Sequence, residues 1–210
     1  MTTKLLVATR NKGKLAELRE LVTDLDVELL SLDDTPNAPA DVVEDGATFE
    51  ANARKKASEY ARATGLLTLA DDSGLEVDAL GGEPGVRSAR FAGPHATDGE
   101  NNRLLLTRLV SFERGERTAR FRCVLAVADP LGPLGTDVHL ESGACEGRIV
   151  SGPRGTGGFG YDPLFVPAAA GERTLAELRG EEKNALSHRA EASLKTVAFL
   201  RTYLRNRLTP

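Results

Sequence analysis

Residues 4–22, KLLVATRNKGKLAELRELV, contain the clearest indication of the fold class. Residues 4–8 form a short apolar run that is typical of a buried strand, whereas Leu15, Leu18 and Val22 recur at helical spacing. Residues 9–13 are therefore predicted to connect a strand to a helix. A chain that opens with a strand, a loop and a helix is predicted to be an α/β protein.

The rest of the chain continues this alternation of elements. Apolar runs predict strands at 27–32 and 66–70, and at 119–128 and 138–145 they predict two strands that pair across a Pro/Gly-rich turn. Helical periodicity predicts helices at 48–63 and 187–205, and Asp98 is predicted to cap a helix that continues to residue 110. Residues 33–46, rich in Pro and acids, are predicted to form an exposed loop.

Composition limits the function classes. The chain has 210 residues, 40% of them hydrophobic, which suits a single globular domain. Lys and Arg number 27 against 31 Asp and Glu, so the formal net charge of −4 provides no general positive field for a nucleic acid polymer. An anionic ligand must therefore be bound by a local cluster of cations.

Neither the amino-terminal sequence nor the cysteines indicate export or a metal centre. The apolar run at residues 5–8 is too short for a signal peptide or a membrane span. Cys123 and Cys145 lack the paired spacing of a zinc or redox motif, so we interpret both as core thiols. We expect a soluble cytoplasmic protein with no membrane partner.

Residues 9–14, TRNKGK, are the first candidate site. Backbone N–H groups and the helix dipole favour a phosphate at the start of a helix, and Lys14 adds a full positive charge. The pattern is not a Walker A loop, which requires Gly-x-x-x-x-Gly-Lys-Ser/Thr. Taken alone, the stretch is more typical of an ordinary capped helix with surface lysines.

Two further candidates carry opposite charges. Asn52 and Lys56 fall on the predicted inward stripe of the helix at 48–63, where Lys56 either contacts phosphate or lays its stem on the core and reaches water. Asp71 and Asp72 follow the strand at 66–70, and adjacent carboxylates at a strand tip can hold Mg²⁺, with Glu44 as a second ligand. An aspartate that caps a turn is the alternative.

The last candidate is the glycine-rich segment at 157–163, GGFGYDP. Its glycines let the backbone approach a ligand, Phe159 can stack on a base, and Asp162 can accept a hydrogen bond from it. Downstream, Lys183, His188 and Arg189 offer donors before or at the start of the last helix.

Six motifs occur in order between Thr9 and Arg189, within a likeness that extends from Leu5 to beyond Arg189. They are Thr9-x-Asn11-x-x-Lys14, Gly46-x-Thr48-Phe49-x-x-Asn52-Ala53, Ala70-Asp71-Asp72-Ser73-Gly74-Leu75, Pro84-Gly85-Val86-x-Ser88-Ala89-Arg90, Gly158-Phe159-Gly160-Tyr161-Asp162-Pro163 and Glu182-Lys183-x-x-x-Ser187-His188-Arg189. Together they resemble the inosine triphosphatase family, whose bacterial members are dITP/XTP pyrophosphatases.

The resemblance implies an architecture and a reaction. The fold would be an elongated α/β structure with a long mixed sheet flanked by helices, two lobes and a nucleotide cleft between them. Residues 1–210 would form one pyrophosphatase domain, and the protein would be a homodimer. It would hydrolyse inosine, deoxyinosine and xanthosine triphosphates to the monophosphate and pyrophosphate with Mg²⁺ as cofactor, and so remove deaminated purines from the nucleotide pool.

The resemblance also implies a role for each matching residue. Asp72 and Glu44 would bind Mg²⁺, and Asp72 would also be the general base. The residues that would hold the triphosphate are Thr9, Arg10, Asn11, Lys12, Gly13, Lys14 and Lys56. Those that would bind the nucleotide are Ser73, Phe159, Gly160, Tyr161, Asp162, Lys183, His188 and Arg189, with Phe159 and the last two at the base.

Two residues depart from the family pattern. Ala51 stands where relatives often have Glu, and Arg87 stands where many have Tyr, but neither is among the residues assigned to catalysis.

A nucleotide sensor is the first alternative function. Such a protein would use the phosphate loop and the aromatic pocket without turnover, although it has little use for paired carboxylates. A pyrophosphatase for modified or pyrimidine nucleotides is the second alternative.

Overall fold

The computed structural model describes residues 2–207, apart from the side chain of residue 21. Its six strands are β1 (Thr3–Ala8), β2 (Val27–Ser31), β3 (Leu67–Val77), β4 (Thr118–Ala128), β5 (Val138–Ile149) and β6 (Phe165–Pro167). Its five α-helices are α1 (Lys12–Leu21), α2 (Phe49–Thr64), α3 (Asp98–Arg108), α4 (Gly180–Leu186) and α5 (His188–Arg207).

The strands form one mixed sheet in the order β2-β1-β3-β4-β5-β6. Strand β1 is parallel to both β2 and β3, and Ala8 pairs with Ala70, so the carboxyl end of β1 lies beside the Asp71-Asp72 pair. At the other edge β5 and β6 are antiparallel. The predicted α/β class with a mixed sheet is therefore confirmed.

The chain divides into two compact units, each with its own core. Within the described residues, the first unit takes in 2–72, 123–143 and 189–207, and the second takes in Ser73–Arg122 and Ala144–His188. Side chains such as Leu5, Leu69 and Leu200 fill the first core. Leu105 and Phe165 belong to the second core. The nucleotide cleft between two lobes stays a prediction.

Helix α2 confirms the predicted inward stripe. The Thr48 hydroxyl accepts a hydrogen bond from the Ala51 N–H at its start, and Gly65 ends it with a φ of 70°. Asn52 and Lys56 are buried on the same face as Ala53 and its apolar neighbours. The helix therefore carries two polar side chains into the interior of the first unit.

The prediction that a strand ends at residue 70 is wrong, because β3 continues to Val77. Asp71 and Asp72 lie within the strand and not at its tip. Buried carboxylates can occupy a strand when cations compensate them, and here Lys14 and Arg189 pair with Asp71. The apolar pattern then resumes with Leu75 and Val77, which are buried in the second core.

Two helix starts also differ from the prediction. The loop after β1 is shorter than expected, since α1 begins at Lys12 with Asn11 as its cap. Thr97, not Asp98, caps α3, and its hydroxyl and Glu100 form a capping box. The Asp98 carboxylate instead accepts a hydrogen bond from the Gly160 N–H at 2.7 Å. Thr97 and Asp98 are adjacent and both carry a side-chain oxygen, so the sequence alone does not show which of them caps the helix.

Cys123 and Cys145 are buried free thiols, as predicted. Among the helices that the structure describes, none is long and apolar enough to cross a membrane.

Candidate active site

The loop between β1 and α1 is ordered by its own polar side chains. The Asn11 Oδ1 accepts a hydrogen bond from the Lys14 N–H at 3.0 Å, and the Thr9 hydroxyl accepts one from the Asn11 N–H at 3.2 Å. The Arg10 guanidinium donates to the Pro39 carbonyl. Lys12 and Gly13 form the first turn of α1, so backbone donors and the positive end of the helix dipole lie at this loop.

Lys56 lies among three carboxyl-bearing residues instead of reaching water. Its Nζ is 2.9 Å from the Glu44 Oε1 and 3.5 Å from the Asp72 Oδ1, and it also donates to the Asp71 backbone carbonyl. Burial alone would lower the pKa of Lys56, but Asp72, Glu44 and Asp71 outweigh it and raise that pKa. Lys56 is therefore a buried cation that brings the predicted metal ligands Glu44 and Asp72 together.

One carboxylate oxygen of Asp72 is left unsatisfied by the residues that the structure describes. The residue is only 4% exposed, and its Oδ2 is buried without a hydrogen-bond partner in the part of the chain that the structure describes. Burial raises the pKa of the Asp72 carboxyl, while the charges of Lys56 and Lys14 oppose the rise. A buried carboxylate oxygen without a donor needs an explanation, and a cation supplies one.

These oxygens suit the cation that the sequence predicted. Mg²⁺ in proteins is usually held by one or two carboxylates, and substrate phosphates and water complete its coordination. Within residues 2–207, no three side chains of His, Cys, Asp and Glu gather into a ready-made metal cage. Asp72 and Glu44 would supply the carboxylate oxygens that such an ion requires.

Asp71 is the centre of a buried ion network in the same unit. Its Oδ1 is 2.5 Å from the Lys14 Nζ, and its Oδ2 accepts hydrogen bonds from the Arg189 Nε at 3.0 Å and the Cys123 thiol at 3.1 Å. The Arg189 guanidinium also pairs with Glu17. Burial would raise the pKa of Asp71, but Lys14, Arg189 and Lys56 hold it well below its usual range.

The glycine-rich segment of the second unit is fixed by Asp162. The Asp162 Oδ2 accepts from the Phe159 N–H at 2.9 Å and pairs with the Lys183 Nζ at 2.8 Å. That Nζ lies 4.8 Å from the centre of the Phe159 ring, a cation–π contact. The Tyr161 hydroxyl donates to the Ser88 carbonyl at 2.9 Å. The segment is therefore an ordered loop and not a free linker.

Two more predicted residues lie near these elements. His188, the first residue of α5, is buried and stacks on Phe121 with ring centres 4.9 Å apart. Ser73 follows Asp72 in β3 and is half-buried.

The structure brings the predicted residues together in two sets. Lys14, Lys56, Glu44, Asp72 and Arg189 belong to the first unit with the loop residues Thr9, Arg10, Asn11, Lys12 and Gly13. Ser73, Phe159, Gly160, Tyr161, Asp162, Lys183 and His188 belong to the second. Their assignments to phosphate, metal and base stay predictions.

Local sequence patterns did not indicate Glu17 or Asn102, and they indicated Asp98 only as a helix cap. The side chains of Glu17, Asp98 and Asn102 bind Arg189, the Gly160 N–H and the Gly160 carbonyl, respectively. Their partners are distant in sequence, so no local pattern indicates them.

A substitution at Gly158 tests the role of Asp162 as the support of this loop. Gly158 has a φ of +74°, and an added Cβ would lie 2.0 Å from the Asp162 Oδ2. We expect Gly158→Ala to break the contacts of Asp162 with Phe159 and Lys183, and so to lower the free energy of unfolding by about 2–4 kcal/mol in urea titrations.

Gly160→Ala is the matched control. Gly160 has a φ of +60°, but nothing lies within 4 Å of an added Cβ, so only backbone strain of roughly 1–2 kcal/mol is expected. Equal losses of stability for the two variants would show that Asp162 does not support the loop.

The fold and this cluster together define a mixed α/β protein with cationic donors and carboxylate ligands suited to an anionic substrate and a hard cation. The family model that describes the Ham1 family matches residues 5–199. The chain belongs to that family, as its motifs predicted.

Individual proteins and solved structures of similar sequence support the same family. A dITP/XTP pyrophosphatase of Geobacter sulfurreducens is 54% identical over 202 residues, which cover 96% of each chain. A HAM1 protein structure from Coxiella burnetii has a TM-score of 0.85 at 40% identity and covers 96% of this chain and 100% of its own. A nucleoside-triphosphatase, dITP/XTP pyrophosphatase, from Mycobacterium abscessus has a TM-score of 0.75 at 47% identity and covers 93% of this chain and 98% of its own.

Proposed function

We propose that this protein is a Mg²⁺-dependent nucleoside triphosphate pyrophosphatase that converts inosine, deoxyinosine and xanthosine triphosphates to the monophosphate and pyrophosphate. The name of the Geobacter relative, at 54% identity over nearly the whole chain, supports the substrate class. The observation that carries the chemistry is the buried Asp72 oxygen without a donor among the described residues, where Lys56 joins Asp72 to Glu44. The enzyme would thereby remove deaminated purines from the nucleotide pool.

The chain supplies the parts that triphosphate hydrolysis requires. Lys14, Lys56 and the loop from Thr9 to Gly13 bind and orient the triphosphate, so that its charge is compensated. Asp72 and Glu44 hold Mg²⁺, which when bound screens the phosphoryl oxygens. Asp72 accepts the proton of the water that attacks the α-phosphorus, and pyrophosphate leaves.

The base is held by the other set of residues. Phe159 stacks on the purine, and Gly160 and Tyr161 keep the loop in place while Asp162 and Lys183 set its shape. His188 and nearby backbone N–H groups donate to the O6 atom. The guanidinium of Arg189 already binds Asp71 and Glu17, so we place His188 ahead of Arg189 in this role. Ser73 binds the nucleotide next to Asp72.

Removal of the metal tests the proposal and separates it from a nucleotide sensor. We expect pyrophosphate release from ITP to stop when EDTA is added and to return when Mg²⁺ is restored in excess. ITP that binds tightly without any release of pyrophosphate, with Mg²⁺ present, would favour the sensor and contradict the enzyme.

The proposal extends to the domain organisation, the location and the partners of the protein. The whole chain, residues 1–210, acts as one pyrophosphatase domain in the cytoplasm, where the nucleotide pool is found. The net charge of −4 favours small nucleotides over a nucleic acid polymer as partners.

We expect a homodimer on the basis of the family resemblance. Sedimentation equilibrium should therefore give a mass of about twice the chain mass of 22.4 kDa. A mass near that of one chain, at the concentrations used for activity, would contradict the dimer.

A further inference from the structure

Asp71 has no role in the mechanism above, although its side chain is buried and charged. Its carboxylate is inaccessible to solvent, and each of its two oxygens is bound by a cation. The Oδ2 also accepts from the Cys123 thiol, and the Arg189 guanidinium is held in turn by Glu17. The carboxylate therefore has a fixed position within the first unit.

The charged side chains around Asp71 differ in their exposure to solvent. The side chain of Asp71 is 0% exposed and that of Arg189 is 2% exposed, whereas that of Lys14 is 16% exposed. A buried ion pair is weak evidence for a contribution to stability, because apolar residues of similar volume often replace it without loss. The arrangement is better explained by Lys14, whose side chain is the most exposed of the four, at 16% against 13% for Glu17, and which lies in the first turn of α1 beside the loop.

A lysine needs such an anchor to bind a phosphate at a defined place. Its stem has four carbons and many rotamers, so an untethered ammonium loses much freedom when it binds. An ammonium has three N–H donors, and the contact with Asp71 uses one of them while the others can meet phosphate oxygens. The backbone carbonyl of the same Asp71 accepts from the Lys56 Nζ.

We propose that Asp71 is a positioning residue that acts through Lys14: its carboxylate, clamped by Arg189, holds the Lys14 ammonium where the triphosphate binds. This inference rests on the proposed function, in which Lys14 contacts the triphosphate. Asp71 itself does not touch the substrate. Arg189 and Glu17 serve to hold the carboxylate, which gives the buried guanidinium a role apart from the base.

A double-mutant cycle tests whether Asp71 acts through Lys14. The variants are Asp71→Asn, Lys14→Ala and the two combined, each assayed with ITP and Mg²⁺. The amide of Asp71→Asn leaves the backbone carbonyl that Lys56 uses in place. We expect each single variant to raise KM for ITP by about tenfold or more, and the double variant to be no worse than Lys14→Ala alone.

A second readout separates positioning from general damage to the fold. Inosine has no phosphate, so its inhibition constant should stay within about twofold of the wild-type value in all three variants. If Asp71→Asn does not fold, Asp71→Glu keeps the charge that Arg189 requires but moves the carboxylate by one methylene. It should show the same rise in KM for ITP with the same unchanged inosine constant.

The outcomes distinguish this inference from the function on which it rests. If Lys14→Ala leaves KM for ITP unchanged, the proposed phosphate loop is wrong and the role of Asp71 falls with it. If Lys14→Ala weakens ITP binding while Asp71→Asn does not, or if the two effects multiply in the double variant, Lys14 stands and the positioning role is overturned. A parallel loss of inosine affinity would likewise overturn it.

Discussion

Asp72→Asn is expected to abolish turnover while ITP binding stays measurable. The amide keeps the shape of the carboxylate but loses the negative charge that holds Mg²⁺ and the ability to accept the proton of water. General-base catalysis alone contributes about 100-fold or more, so kcat for pyrophosphate release should fall by at least that factor. The measurement pairs this assay with calorimetric titration of ITP.

Asp129→Asn is a suitable control, because Asp129 is an equally buried aspartate in the same unit. It binds the Tyr203 hydroxyl and the Arg207 guanidinium, far along the chain from the proposed ligands. We expect this variant to lose stability but to keep the kcat of its folded fraction. Retention of more than about a tenth of wild-type kcat by Asp72→Asn would exclude Asp72 as the general base.

We expect the enzyme to hydrolyse ITP with a much higher kcat/KM than ATP. A 6-keto purine presents an acceptor at O6 and a donor at N1, which suit a donor such as His188 and an acceptor in the segment from Phe159 to Asp162. Adenine reverses both groups. Two buried polar groups left unpaired cost about 1–3 kcal/mol each, so kcat/KM for ITP should exceed that for ATP by about 30-fold to 10⁴-fold.

GTP is the more demanding comparison in the same assay. Guanine keeps O6 and the N1–H and differs from hypoxanthine only in its 2-amino group, so its rejection requires a tight or donor-lined wall at C2. Such a wall would still accept the 2-keto oxygen of xanthine. Comparable kcat/KM values for ITP, ATP and GTP would show that the pocket contacts the faces of the base and not its edge.

Local patterns were sufficient for the elements that carry the site. The apolar run and helical spacing of residues 4–22 predicted β1, the loop and α1, and the helical periodicity of α2 placed Asn52 and Lys56 on its inward stripe. These features depend on neighbours within one or two turns. The motifs then predicted the family, which the match over residues 5–199 confirmed.

Long-range charge pairing could not be predicted in this way. Strand β3 includes the buried carboxylate of Asp71, which Arg189 compensates from 118 positions further along the chain. The guanidinium of Arg189 is in turn bound by Glu17, which is 172 positions away from it. No periodicity connects such positions. For the same reason, Arg189 was predicted at the base from its motif, whereas the contacts that the structure gives it are with carboxylates.

Product analysis distinguishes a pyrophosphatase from an enzyme that removes only the terminal phosphate of ITP. The protein is incubated with ITP and Mg²⁺, and the products are separated by ion-exchange chromatography through the course of the reaction. Attack at the α-phosphorus predicts inosine monophosphate and pyrophosphate in equal amounts from the first time point, without inosine diphosphate. Accumulation of inosine diphosphate with orthophosphate would place the attack at the γ-phosphorus and contradict the account.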